Sequence, residues 1–354
     1  MAQVPQLVSL AAALAPGVFD TLIDVRSPAE FAIDHLPGAV NWPVLDDAQR
    51  AQVGTLYVQE SPLQARKLGA ALVCRNIATH LEQQLTDKPR EWRPLVYCWR
   101  GGQRSGSLAL VLAQVGFRTG QLSGGYKAFR ERVRDDLQTL PAALDFRVLC
   151  GRTGSGKTRL LQALQAAGAQ VLDLEGMARH RGSVLGALPG LPQPTQKQFD
   201  TQVWAALRQF DAGRPVFVES ESARIGRLAV APALLARMHA QGRPLQLHTR
   251  DSARVALLLH DYADSTVNVQ ALCALLQPLR ELRGAERVQQ WQALAQARRW
   301  PELITALMDE HYDPLYTHSM RRSYPGLAEA PTLHIERGDD VEFAALAATL
   351  LHEH

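Results

Sequence analysis

Short apolar runs alternate with longer amphipathic stretches along the 354-residue chain. Residues 21–26, 94–97 and 116–122 have the length of single strands, and the first two are strongly apolar. Residues 62–86 place alanine, leucine and valine on one face of a long helix. Strands that alternate with helices predict parallel sheets covered on both faces, so the pattern indicates an α/β protein.

The same alternation continues through the second half of the chain. Strands are predicted at 146–150, 170–175, 215–222, 244–248 and 332–336, and helices at 193–212 and 341–352. Residues 250–322 are predicted to be helical, since they are rich in leucine, alanine and arginine. Residues 7–19 are apolar, but no lysine or arginine precedes them and they are too few to span a bilayer. We therefore predict a first helix there and no signal peptide.

The first concentration of chemistry is the stretch Cys98-Trp-Arg-Gly-Gly-Gln-Arg-Ser105. It follows an apolar strand, and a helix is predicted from Ser105, so Cys98 faces a helix N-terminus. The two glycines let backbone N–H groups converge near the sulfur, while Arg100 and Arg104 add donors for a tetrahedral anion. Such surroundings lower a thiol pKa, whereas a buried structural cysteine has no use for two arginines. We assign Cys98, Arg100 and Arg104 to catalysis. The rest of the predicted anion-binding loop is Trp99, Gly101, Gly102 and Gln103.

The second concentration is Gly151-Arg-Thr-Gly-Ser-Gly-Lys-Thr158, directly after the strand at 146–150. It fits the pattern G-x-x-x-x-G-K-[ST] in its strand–loop–helix context. Backbone N–H groups would cradle a diphosphate, Lys157 would neutralise it, and Thr158 could ligate Mg²⁺. The predicted diphosphate-binding residues are Gly151, Thr153, Gly154, Ser155, Gly156, Lys157 and Thr158. The motif does not specify a nucleoside triphosphate.

Carboxylates end two predicted strands of this half. Asp173 and Glu175 end one, and Glu219 and Glu221 end the other, as in a Walker B element. All four are candidate Mg²⁺ ligands or acids, and the sequence does not choose among them.

Two further stretches carry ionisable residues. Arg179 and Arg181 lie on a basic loop that could reach phosphates, and a solvated surface loop fits them equally well. Residues 311–318 contain histidine and aspartate, but their spacing matches no ligand pattern, so we predict a helix terminus with packed aromatics and no structural metal.

The composition is that of an ordinary globular protein, with 46% hydrophobic and 21% charged residues. The net charge of +3 permits a nucleic-acid partner without requiring one. Four cysteines lie far apart with no C-x-x-C spacing, which favours free thiols in a reducing compartment. We therefore expect a cytoplasmic protein that contacts no membrane.

Residues 18–135 resemble the rhodanese family. The matching pieces are Asp24-Val-Arg-Ser-Pro-Ala-Glu-Phe31, His35-Leu-Pro-Gly-Ala-Val-Asn41, Val96-Tyr-Cys98, Arg104-Ser105 and Gly124-Gly125. In that family the cysteine carries a chalcogen as a persulfide. The usual sulfurtransferase loop is one residue shorter, whereas Cys98-x5-Arg104 has the length used by cysteine phosphatases. A wider loop has room for phosphate or a selenium species.

Over nearly the whole chain the sequence is similar to the tRNA 2-selenouridine synthases. The stretches that carry this resemblance include Val53-Gly-Thr-Leu-Tyr57, Gly124-Gly-Tyr-Lys-Ala-Phe-Arg130, Leu172-Asp-Leu-Glu-Gly176, His180-Arg-Gly-Ser183 and Glu219-Ser-Glu-Ser222. The resemblance implies a rhodanese-like parallel-sheet domain at 1–139 and a P-loop NTPase-like α/β domain at 140–249. Residues 250–354 would be a mostly helical segment with a closing strand, which completes the P-loop half and contacts tRNA.

The resemblance also implies the reaction. Sulfur in wobble 2-thiouridine of tRNA would be alkylated by geranyl diphosphate at the P-loop and then replaced by selenium from selenophosphate at the Cys98 loop. No tightly bound cofactor is expected, although Mg²⁺ would fit the P-loop. Two alternatives stay open. One is a C-x5-R cysteine phosphatase or sulfurtransferase fused to a nucleotide-binding module, and the other is a regulatory protein that uses a degenerate rhodanese domain for docking.

Overall fold

The computed structural model describes residues 4–183, 185–188, 190–261 and 268–352, without the side chains of His318, Arg321 and Pro325. The part of the predicted helical segment at 262–267 lies outside the described residues. The chain divides into two units, Met1–Asp136 with Asp200–Gln202 and Leu137–Phe199 with Val203–His354. The residues after Thr249 thus belong to the same unit as the P-loop.

In the described residues, the first unit is built on a five-stranded parallel sheet of order β1-β5-β4-β2-β3. Its strands are β1 (Gln6–Val8), β2 (Thr21–Asp24), β3 (Val40–Asn41), β4 (Pro94–Tyr97) and β5 (Gly120–Leu122). Its helices are α1 (Leu10–Ala13), α2 (Pro28–Ile33), α3 (Asp47–Gln59), α4 (Pro62–Gln84), α5 (Gln103–Val115) and α6 (Gly125–Thr139). The central strand β4 is buried throughout, and its carboxyl end leads directly into Cys98.

The predicted helix at residues 7–19 is wrong. Gln6–Val8 forms an edge strand parallel to β5, and the helix that follows covers Leu10–Ala13 only. Ser9 caps this helix by accepting a hydrogen bond from the Ala12 amide at 3.3 Å. The composition of a short apolar run fits either a strand or a helix. Here the strand forms because the edge of β5 has free backbone N–H and C=O groups, and a strand can pair with them whereas a helix cannot.

The second unit is built on another parallel sheet, which has five strands in the described part of the chain and the order β12-β11-β6-β8-β7. Its strands are β6 (Phe146–Cys150), β7 (Gln170–Leu172), β8 (Val216–Glu219), β11 (Arg243–Thr249) and β12 (Thr332–Ile335), beside an antiparallel pair, β9 (Arg224–Ile225) and β10 (Leu228–Ala229). Its helices before the gap are α7 (Lys157–Ala166), α8 (Leu174–Ala178), α9 (Gln196–Leu207), α10 (Pro232–Gln241) and α11 (Asp251–Asp261). After the gap come α12 (Val269–Leu276), α13 (Arg280–Arg283), α14 (Ala285–Gln296), α15 (Trp300–Leu307), α16 (Asp313–Ser323) and α17 (Asp340–His352).

The predicted fold class is confirmed, because two parallel α/β sheets are followed by a mostly helical segment. The closing strand is confirmed as well, since β12 pairs with β11, and Phe343 of α17 packs in the core of this sheet. The strand predicted at 170–175 ends at Leu172. Asp173 instead caps α8 and accepts a hydrogen bond from the Gly176 amide at 2.7 Å, which places Glu175 on a helix.

None of the helices in the described ranges is both long enough and apolar enough to cross a lipid bilayer.

Candidate active sites

Cys98 lies on the turn between β4 and α5, which begins at Gln103, earlier than predicted. The cysteine is 4% exposed, and the Ser105 hydroxyl donates a hydrogen bond to its sulfur at 3.2 Å. Burial alone would raise the pKa of the Cys98 thiol. Hydrogen bonds from Ser105 and from the Arg100 backbone, together with the charge of Arg104, outweigh burial and lower that pKa. A buried thiolate in such surroundings is a nucleophile.

Ser105→Ala is expected to raise the Cys98 pKa, because the hydrogen bond that this serine donates to the charged sulfur is lost, and such a bond contributes about 1.5–3 kcal/mol. The pH at which Cys98 becomes reactive toward iodoacetamide, followed by peptide mass spectrometry, should move upward. Ser107→Ala is the matched control, since its exposed hydroxyl bonds the Gln103 carbonyl at 2.9 Å. An unchanged alkylation profile in Ser105→Ala would refute this account of the thiolate.

The shape of the cysteine loop depends on glycine at one of its two adjacent positions. Gly101 has φ +69°, in the left-handed region, and a Cβ there would overlap the Leu122 carbonyl oxygen. Gly102 has φ −96°, and no atom lies within 4 Å of the place its Cβ would take. A side chain at position 101 would therefore disturb the loop backbone more than a side chain at position 102.

Gly101→Ala is expected to destabilise the protein by about 1–3 kcal/mol and to slow alkylation of Cys98, since a strained residue must shift against the strand backbone. Gly102→Ala is the control and should cost only about 0.5 kcal/mol, the preference of a helix N-cap for glycine over alanine. Urea unfolding and thiol alkylation measure both effects. Equal losses in the two variants would contradict the assigned shape.

Arg104, which the sequence predicts to be a donor for an anion, forms an ion pair with a glutamate. Its Nη1 donates to Glu30 Oε2 at 2.9 Å. Glu30 lies in the first turn of α2 and belongs to a capping box with Ser27, and α2 follows β2, the neighbour of β4 in the sheet. Burial would raise the pKa of Glu30, but Arg104 outweighs it and the pKa is lowered. An anion at this loop would therefore meet Arg104 beside an ionised carboxylate.

The other predicted members of the loop lie at its surface. Trp99 is 38% exposed and its ring lies 5.4 Å from that of Tyr126, while Arg100 and Gln103 are exposed. The sequence interpretation missed Gln121, whose side-chain amide donates to the Gly101 carbonyl at 2.8 Å and to the Ser105 hydroxyl at 3.0 Å. It gives no local signal, because a glutamine within a strand is ordinarily a surface residue.

The P-loop joins β6, which lies between β8 and β11, to α7. Gly154 and Gly156 have φ +76° and +83°, conformations that glycine adopts freely. A Cβ on Gly156 would overlap the ring of Phe343, so the loop is packed against α17. Lys157 Nζ donates to the Gly151 carbonyl at 2.9 Å and lies 5.8 Å from the centre of the Tyr316 ring.

A cavity of about 730 Å³ opens over this loop. The predicted residues that line it are Thr153, Gly154, Ser155, Gly156, Lys157, Thr158, Asp173, Glu175, Glu219, Glu221 and Arg181. Gly151 is not among the lining residues, but its carbonyl oxygen accepts the hydrogen bond from Lys157 Nζ. Arg179 is exposed at the C-cap of α8, with φ +50°, and is not part of this lining.

Three glutamates meet at the carboxyl edge of the sheet. One carboxylate oxygen from each of Glu175, Glu219 and Glu221 lies within 4.8 Å of the others. Burial, reinforced by the neighbouring carboxylates, raises the pKa of Glu175 and Glu221 to about 8 and that of Glu219 well above its ordinary value. Within the described residues, neither oxygen of Glu219 has a hydrogen-bond partner. A hard divalent cation such as Mg²⁺ fits this oxygen set, which Asp173 does not join because it caps α8.

A buried arginine donates hydrogen bonds to the backbone of the P-loop, and the sequence interpretation missed this residue. Arg254 of α11 is 1% exposed and donates to the Thr153 carbonyl from Nε at 3.2 Å and from Nη2 at 2.9 Å. The same guanidinium pairs with Asp313 at 2.6 Å, and Asp313 also accepts from Arg152 at 2.8 Å. The predicted helix terminus at 311–318 is wrong, because Met308–Tyr312 form a π-helical turn that runs without a break from α15 into α16 at Asp313. The His318 side chain lies outside the described residues.

Comparison with known families matches residues 7–132 to the rhodanese-like domain and residues 144–277 to the tRNA 2-selenouridine synthase AAA domain. Similar proteins include the tRNA 2-selenouridine synthase of Alcanivorax borkumensis, 33% identical over 336 residues, which cover 85% of this chain and 90% of that protein. The corresponding protein of Marinobacter nauticus is 33% identical over 84% of this chain and 88% of its own. That of Verminephrobacter eiseniae is 35% identical over 86% and 90%.

Proposed function

This chain belongs to the tRNA 2-selenouridine synthase family, and from that premise we propose that it converts wobble 2-thiouridine in tRNA to 2-selenouridine in two steps. Geranyl diphosphate first alkylates the sulfur, and selenium from selenophosphate then displaces geranylthiol. The observation that carries this proposal is that each unit holds its own site, a thiolate loop in one and a phosphate loop with a glutamate cluster in the other.

The P-loop cavity suits the first step. The thiouridine sulfur forms a bond to C1 of the geranyl group, and the C–O bond to diphosphate breaks with its electron pair on oxygen. Lys157 and the loop amides would stabilise the charge on the departing diphosphate. Glu175, Glu219 and Glu221 would hold Mg²⁺, which would neutralise diphosphate further when bound. S-alkylation turns sulfur into a group that can leave as a thiol.

The Cys98 loop suits the second step. Attack of the thiolate at selenium would form a perselenide only if phosphorus left at the oxidation level of phosphite, so release of phosphate by that route would need an external oxidant. Attack at phosphorus needs none: an S–P bond forms, the P–Se bond breaks, and hydrogen selenide anion leaves with the electron pair. That anion displaces geranylthiol from the uridine carbon. Water then cleaves the S–P bond, releases phosphate and restores the Cys98 thiolate.

The ionised state of Glu30 favours selenophosphate over an ordinary phosphate ester as the donor bound at this loop. Cysteine phosphatases need a carboxylic acid to protonate an alkoxide leaving group, and the carboxylate beside Arg104 is ionised because its pKa is lowered. Hydrogen selenide anion is a good leaving group and needs no such acid. A phosphatase is therefore the weaker assignment for this loop.

We also propose a cytoplasmic location, where tRNA is found, and contacts from Arg179 and Arg181 to tRNA or substrate phosphates. Both side chains follow α8, and Arg181 lines the P-loop cavity.

Nucleoside mass spectrometry on thiolated tRNA tests the proposal, with geranyl diphosphate, selenophosphate and ATP each omitted in turn. We expect geranylated nucleoside without selenophosphate, no product without geranyl diphosphate, and an unchanged yield without ATP. If selenouridine forms with ATP but without the prenyl donor, the P-loop is a nucleotide site and the two-step scheme is wrong.

A further inference from the structure

A second, smaller cleft adjoins the P-loop cavity. It measures about 60 Å³ and shares Thr153, Leu258 and Tyr312 with the larger cavity as lining residues. Its wall is otherwise apolar and comes from α11, α12 and α15, with Leu185 and Met308 from outside these helices. Its aliphatic side chains include those of Leu258, Leu272, Leu303, Ile304 and Leu307.

The cleft begins at the phosphate loop itself. Leu258 packs so closely on Gly154 that a Cβ there would lie 2.7 Å from the leucine Cδ1. A ligand whose head is held by the loop amides therefore has an apolar surface within reach of its next atoms. A nucleobase carries several hydrogen-bonding groups, which would be buried without partners against leucines, whereas a hydrocarbon gains from the same burial.

We propose that this cleft binds the distal hydrocarbon of a prenyl diphosphate and sets the chain length that the enzyme accepts. The inference rests on the proposed function, because the head of the same substrate would occupy the P-loop. Leu303, Ile304 and Leu307 follow one another along α15, and Leu303 and Leu307 are almost fully buried in the helical core. A cleft of about 60 Å³ between fixed helices holds a few carbon atoms, so a longer chain meets its wall.

A pair of substitutions at Ile304 tests the cleft, since this residue is only partly buried and tolerates change better than its neighbours. Ile304→Phe fills the cleft and should weaken geranyl diphosphate binding about tenfold or more, because one methylene in an apolar pocket already changes discrimination by about 10–200-fold. Ile304→Ala enlarges the cleft and should shift preference from geranyl toward farnesyl diphosphate by about tenfold. Inorganic diphosphate should bind all variants equally, because it has no tail.

Leu276→Ala is the matched control. Leu276 lies on α12 with Leu272 and is fully buried in the same helical core, but it does not line the cleft. It should lower stability without altering the ratio of farnesyl to geranyl binding. Calorimetric titration with inorganic, dimethylallyl, geranyl and farnesyl diphosphate measures every variant.

The cleft proposal is overturned if wild-type protein binds geranyl and inorganic diphosphate equally, or if neither Ile304 variant changes the chain-length ratio. The cleft proposal is supported if the prenyl chain increases the affinity for diphosphate and the Ile304 variants change the chain-length ratio, even if no geranylated tRNA is formed. In that case the proposed function fails and the prenyl site remains.

Discussion

Lys157→Ala is expected to slow S-geranylation of tRNA on the order of 10²–10³-fold, the usual cost of removing one group that stabilises developing charge. In the proposed first step, departure of diphosphate would place negative charge on oxygens bound by the loop amides and Lys157. The lysine also lies near the cluster of Glu175, Glu219 and Glu221, so its removal would leave carboxylates facing the diphosphate. The geranylated nucleoside, quantified by mass spectrometry against time, measures the rate.

The control for this prediction is tRNA that is supplied already geranylated. The Lys157→Ala protein should convert it to selenouridine tRNA at the wild-type rate, because the proposed second step would use the Cys98 loop. If the variant loses both steps alike, the P-loop is not confined to the prenyl transfer. Normal geranylation by the variant would show that the lysine does not stabilise the leaving diphosphate.

Cys98→Ser should abolish selenouridine formation while geranylated nucleoside accumulates. A serine hydroxyl is not ionised where the thiol is, so the nucleophile for phosphorus is lost although the loop keeps its shape. Cys74→Ser is the matched control, since Cys74 is an exposed thiol on α4. Nucleoside mass spectrometry with both variants measures the two products.

The same pair of variants identifies the covalent step. Wild-type protein mixed with ³²P-labelled selenophosphate and quenched in base should carry phosphorus on Cys98, and the Cys98→Ser protein should carry none. A peptide that instead shows the isotope pattern of selenium at Cys98 would refute attack at phosphorus. Full selenation by Cys98→Ser would remove the cysteine from the mechanism.

The local parts of both sites could be predicted from sequence, because strand, loop and helix are consecutive there. In the P-loop and in the turn after β4, the glycines and charged residues all lie within eight consecutive positions. The contacts that hold these loops could not be predicted in the same way. Arg254 reaches Asp313 across 59 positions, and Gln121 reaches Gly101 across 20, so these pairs exist only once the chain has folded.

The glutamate cluster shows what the fold adds to the predicted set of acids. The sequence offered four acids and no reason to prefer any of them. The order of the strands brings the ends of β7 and β8 beside the P-loop, and the N-cap preference of aspartate commits Asp173 to α8. The wrong prediction at residues 7–19 also has a long-range cause. Residues 6–8 form a strand because they pair with the edge of β5, and the local sequence pattern does not show that pairing.

The ion pair between Arg254 and Asp313 also has a consequence for folding during translation. The ribosome releases the chain from its N-terminus, so all the described strands of the first sheet are available once Leu122 has emerged. The P-loop emerges soon afterwards, but Asp313, β12 and the Phe343 ring that packs on Gly156 emerge much later. Between the emergence of the P-loop and that of Asp313 the phosphate loop therefore lacks these contacts. We expect the nascent second unit to be the part of this protein that is more exposed to premature contacts.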